Sequence, residues 1–163
     1  MSYQSRSAFG NGAQLCSSTG LWNAGYSNLA AVTYGCQNGS VGEIFFQPLN
    51  GNSVFLQSLD IGSYPSSNGV GPSRTYNVNV YDTGWNLLYG NAGTVAATVN
   101  FAPNVSSASG LYLQWGTDWD TGLNKITTNV TSVTATPEPA SVLLMATGFI
   151  GIAGVARRRR STK

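Results

Sequence analysis

Seventeen uncharged residues, Ala140 to Ala156, run directly into Arg157-Arg158-Arg159-Arg160 near the end of this 163-residue chain. As a helix rising about 1.5 Å per residue, that run spans roughly 25 Å, the short end of what crosses a bilayer. Four arginines do not enter hydrocarbon cheaply. They stop transfer, hold the C-terminus in the cytoplasm and put everything before Pro137 on the far side. An amphipathic or buried core helix is the alternative, but the run has no polar face and ends in a basic block. Just ahead, Pro137-Glu138-Pro139 fixes φ at two of three residues, so this segment stays extended and open to a protease.

Pro137, Glu138 and Pro139, one hydrophobic helix over 140–156 and the cluster Arg157, Arg158, Arg159 and Arg160 resemble, in that order, the PEP-CTERM sorting signal of Gram-negative bacteria that make exopolysaccharide. The resemblance implies a membrane-embedded exosortase as partner. That peptidase would cut near Pro137-Glu138-Pro139 and release or transfer the preceding domain toward the cell surface, so the tail acts as a substrate. At the other end, Met1-Ser2-Tyr3-Gln4-Ser5-Arg6 has no apolar core of a secretory signal. The expectation is that the true start lies upstream, with export by other means as the alternative.

Residues 1–136 suit one compact domain with a real core. They carry three basic residues (Arg6, Arg74, Lys125) and five acidic ones (Glu43, Asp60, Asp82, Asp118, Asp120), a net charge of −2. The overall +2 therefore belongs to the tail, and the absence of any other Lys/Arg cluster argues against nucleic acid as a partner. Cys16 and Cys36 flank a Gly/Asn/Tyr-rich stretch. In an oxidising compartment the expectation is a disulfide, which in the chain-entropy picture contributes about 3 kcal/mol; two free thiols are the alternative. The chain contains no histidine, which argues against a nitrogen- or sulfur-ligated metal site.

Short β-rich runs alternate with turn residues, and no segment of this domain holds a 3.6-residue period. The expected strands are Val41 to Pro48, Val54 to Ile61, Thr75 to Asp82, Asn86 to Tyr89, Thr94 to Phe101, Gly110 to Gly116 and Ile126 to Thr134. Turns fall at Leu49-Asn50-Gly51-Asn52, Ser66-Ser67-Asn68-Gly69, Asp82-Thr83-Gly84 and Pro103-Asn104. Tyr76, Val78 and Val80, and likewise Leu111, Leu113 and Trp115, alternate with residues suited to a wet face, Gln114 among them. The fold class expected is all-β: a two-sheet antiparallel sandwich of jelly-roll type, followed by one C-terminal transmembrane helix. Val78-Asn79-Val80-Tyr81-Asp82, Leu111-Tyr112-Leu113-Gln114-Trp115-Gly116 and Gly122-Leu123-Asn124-Lys125-Ile126 are similar to strands of galactose-binding-like jelly rolls found in carbohydrate-binding modules. In those modules the last motif reads Gly-Ile-Asp-Asn-Ile; here Asn124 and Lys125 stand in its place, and no ligand role is carried over from that aspartate.

Without histidine, nucleophilic catalysis by Ser or Cys lacks its usual base. A glycoside hydrolase needs only two carboxylates, but Asp60 and Asp82 sit where aspartate caps turns, and Glu43 reads as one outward carboxylate on a strand. The expectation is a non-enzyme without a cofactor. The densest constellation is Asp118, Trp119 and Asp120. Its carboxylates could contribute to a Ca²⁺ shell, and the ring of Trp119 could stack on a sugar; capped turns and packing over a sheet end are the bland alternatives. Trp85 and Tyr89 raise the same question, with core or edge cover favoured. The expected role is an exported protein, anchored in the inner membrane as a precursor and then structural or adhesive in the exopolysaccharide layer. A carbohydrate-binding module is the alternative and a carboxylate-dependent hydrolase a further one.

Overall fold

A computed structural model of the chain describes residues 1–65, 70–116 and 119–131, all within one unit, Met1–Ser132. The sorting tail expected over 137–163 and Asp118 lie outside the described residues. Among the described residues, no helix is long and apolar enough to cross a membrane.

Among the described residues, twelve strands form two antiparallel sheets: β1 Ser2–Arg6, β2 Gln14–Cys16, β3 Gly20–Trp22, β4 Val32–Tyr34, β5 Val41–Phe46, β6 Ser53–Ser63, β7 Arg74–Asp82, β8 Leu87–Val95, β9 Thr98–Phe101, β10 Val105–Ser107, β11 Leu111–Gly116 and β12 Thr121–Thr131. One sheet runs β2-β1-β5-β11-β7-β8 and the other β10-β6-β12-β4-β3, with β9 also on β6. The all-β antiparallel sandwich is as expected, but several strand limits differ. Asn86 to Tyr89 and the start of the Thr94 to Phe101 run are one strand, β8, held by its ladder to β7 through Gly90 and Gly93. β12 begins at Thr121 rather than Ile126, because Thr121 to Asn124 pair with Ser63 to Asp60 of β6 before a bulge. The strands β1 to β4 have no counterpart among the expected ones.

The core lies between the sheets. Ile44 and Phe46 of β5, Leu56, Leu59 and Ile61 of β6, Val78 and Val80 of β7 and Leu111, Leu113 and Trp115 of β11 are buried in one cluster. The period-2 alternation of β7 and β11 thus sends one face inward. Trp115 is fully buried and its Nε1 donates to the Thr33 carbonyl at 3.1 Å. It faces Gly42 across the β5–β11 ladder, where a Cβ would stand 2.5 Å from the indole Cζ2. Glycine is required there for room.

On the outer face of the β5–β11–β7 sheet the structure departs from the sequence expectation. Glu43 and Gln114 point away from the core yet are fully buried. The link between β1 and β2 folds over them: Gln114 accepts from the Gly10 amide at 2.7 Å and donates to its carbonyl at 2.8 Å. The Arg6 guanidinium donates to the Gly12 carbonyl at 2.7 Å.

Candidate functional site

The disulfide expected between Cys16 and Cys36 is formed, with Cα atoms 6.5 Å apart, a separation ordinary for such a bridge. It ties β2 to the connection between β4 and β5, where the Cys36 amide donates to Ser5 Oγ at 3.1 Å and Ser40 Oγ donates to the Gln37 carbonyl at 2.6 Å. That pinned connection forms one wall of a cleft of about 380 Å³ whose other walls are aromatic.

Trp119, in the turn between β11 and β12, meets Tyr64, which follows β6, edge to face at 5.2 Å. Trp22, at the end of β3, approaches Tyr64 at 6.5 Å and 79°. Behind them, Tyr26 is buried and lies 4.9 Å from Tyr64 and 6.5 Å from Tyr34. Its hydroxyl donates to the Trp119 carbonyl. Trp119 Nε1 donates to Asn38 Oδ1 at 3.0 Å, so the orientation of the indole is fixed from two sides. Even so, Trp119 remains 39% exposed and Trp22 47% exposed. A rigid aromatic surface with amide groups beside it is suited to a ligand that offers apolar C–H faces and neutral hydroxyls.

Of the residues singled out from the sequence, Trp119 lies in this cleft. Asp120 points elsewhere, pairing with Arg74 at 3.2 Å, while Arg74 Nε donates to the Tyr64 carbonyl at 2.7 Å. Among the described residues no group of three His, Cys, Asp or Glu gathers in a way that could hold a metal ion. Trp22, Tyr26, Tyr34, Tyr64, Gln37 and Asn38 were not singled out by sequence reasoning. The available signal was the density of Tyr and Trp between the two cysteines.

The other described carboxylates are occupied. Glu43 accepts from Arg6 Nε at 2.5 Å, from Gln114 Nε2 at 2.7 Å and from Gln4 Nε2. Asp60 accepts from Asn100 Nδ2 at 2.6 Å and pairs with Lys125 at 3.4 Å. Asp82 closes the β7–β8 turn, accepting from the Asn86 side chain at 2.9 Å and from the amides of Asn86 and Gly84. These bonds, led by the Asn86 side chain, hold its carboxyl below the usual range. Trp85 stacks on Tyr112 with centroids 4.4 Å apart beneath the Arg6 guanidinium. Tyr89 packs against the core, and burial raises its phenol pKa.

Comparison with known proteins finds that residues 135–160 match the PEP-CTERM protein-sorting motif. The match contains Pro137-Glu138-Pro139, the apolar stretch 140–156 and Arg157 to Arg160. The motif implies recognition by an exosortase and a precursor that is exported and membrane-anchored before processing. No curated protein matches the sequence. A solved structure described as "CBM4 structure and function" is similar at 13% identity, over 79% of this chain and 94% of that one, with a TM-score of 0.32.

Proposed function

We propose that this chain, a precursor with a PEP-CTERM sorting motif at its C-terminus, delivers a non-catalytic jelly-roll sandwich to the cell surface or extracellular matrix, where it contacts neutral polysaccharide through the Trp22–Tyr64–Trp119 cleft. The observation that carries the sugar reading is that two large aromatic rings stay exposed on either side of Tyr64, with Trp119 held in place by Asn38. Sugar rings present C–H faces that pack on such surfaces, and the amides of Gln37 and Asn38 on the cleft wall can exchange hydrogen bonds with hydroxyls. A non-enzymatic role is supported by the described carboxylates, each engaged in a fixed hydrogen-bond or ion-pair arrangement. A structural or adhesive role follows from surface delivery combined with such contacts.

Two outcomes are expected. When the chain is produced in a host with its own exosortase, mass spectrometry finds the mature C-terminus near Pro137-Glu138-Pro139 and no Arg157 to Arg160 peptide in the surface fraction. An intact C-terminus in that fraction sinks the sorting reading. Separately, Trp22→Ala and Trp119→Ala each weaken retention on immobilised polysaccharide from the host by about tenfold or more, the loss typical of truncating an aromatic anchor. Unchanged retention of both variants removes the cleft from the argument.

A further inference from the structure

We propose that strand β8 is the docking edge for a second copy of this chain, the two β8 strands pairing antiparallel about a two-fold axis at Ala92. A strand at the end of a sheet offers unpaired N–H and C=O groups to any strand that reaches it, and proteins usually blunt such edges by shortness, charge or proline. Of the other strands with a single neighbour among the described residues, β2, β3 and β10 are three residues long and β9 is four. β8 is nine residues long and pairs with β7 alone among the described residues. Along its regular stretch, Tyr89 to Val95, it lacks the charge, proline and bulge that usually blunt an edge. It contains no proline, and no charged residue occurs anywhere from Thr83 to Gly116. Leu87 and Leu88, at its start, are 58% and 40% exposed.

The one irregularity, a register shift between Val80 and Tyr81, falls at the turn end of the hairpin. It leaves Tyr89 to Val95 in an unbroken ladder opposite Val80 to Arg74. The middle of that regular stretch is Ala92, exposed and small. A two-fold axis there sets Ala92 against Ala92, Asn91 against Gly93, Gly90 against Thr94 and Tyr89 against Val95. The last is an aromatic against a β-branched residue, a favourable cross-strand pair. The pairing is isologous, so one edge of each copy is consumed and the assembly closes as a dimer. The absence of charge favours a second copy as occupant, because two like strands meet here without repulsion.

The test uses the purified full-length chain in detergent micelles. Under mild oxidation Ala92→Cys forms a disulfide-linked dimer, because facing Cα atoms in an antiparallel pair are about 4.5–5.5 Å apart, within the range a disulfide spans. Gln57→Cys, on the exposed face of β6, serves as the control and stays unlinked. In sedimentation, Ala92→Lys and Ala92→Glu each self-associate roughly fivefold more weakly, since like charges then stand directly opposite, and mixing the two variants restores association. The proposal is overturned if Ala92→Cys links no faster than Gln57→Cys, or if Ala92→Lys associates as strongly as the unmodified chain. An edge meant for a foreign strand would leave the purified chain monomeric, and that result also overturns it.

Discussion

Glu43→Ala is expected to lower the stability of the sandwich by about 3–5 kcal/mol, the usual consequence of removing one partner of a buried ion pair. Glu43 is fully buried and Arg6 nearly so, their side chains 0% and 12% exposed. The substitution leaves the guanidinium without a counter-charge and strips two further donors, from Gln4 and Gln114, of their acceptor. Because Arg6 and Gln114 also hold the Gly10 to Gly12 backbone, the cover over this face loosens with it. Glu43→Gln keeps the shape and one acceptor oxygen, so a smaller loss is expected. All four tryptophans precede Asp120, and urea unfolding of the full chain followed by tryptophan fluorescence therefore reads this domain. A Glu43→Ala midpoint equal to that of the parent contradicts the account.

Trp115→Ala is expected to cost about 3–5 kcal/mol by the same measurement, since a large fully buried ring is replaced by a cavity. The Thr33 carbonyl also loses its donor. The pairing with Gly42 supplies an internal check. By itself, Gly42→Ala drives a methyl group into the indole and is destabilising. In the Trp115→Ala background the same change meets open space, so the two losses are not additive.

The parts of the fold legible in the sequence are those where side-chain period and burial coincide. In β7 and β11, Val78, Val80, Leu111, Leu113 and Trp115 alternate cleanly, and all are fully buried. β8 was read as two pieces because Gly90, Asn91 and Gly93 disfavour a strand locally; the ladder to β7 overrides that preference. β2, β3 and β4 are three residues each, too short to display any period. In β12 the Thr121–Asn124 start was hidden by a bulge that breaks the alternation ahead of Thr127.

The site was legible at Trp119, whose place between two aspartates marked it as a loop residue, and at Cys36, through the expected disulfide. Tyr64, Trp22 and Tyr26 reach it from distant parts of the chain, and nothing local in the sequence records that convergence. Glu43 shows the same limit from the other side. Its alternation rightly gave an outward direction, but burial came from residues 7–13, at least thirty positions earlier.

β12 is the last described strand before the sorting motif, and it runs between β6 and β4 with nine aligned partners on β6, from Thr121 opposite Ser63 to Thr131 opposite Ser53. A pull on the chain beyond Thr131 is directed along this strand, so it loads those hydrogen bonds in shear, many at once, instead of peeling them one after another. A protein held at its C-terminal end while its cleft grips a moving polymer would meet mechanical tension at the longest ladder among the described residues, that between β6 and β12.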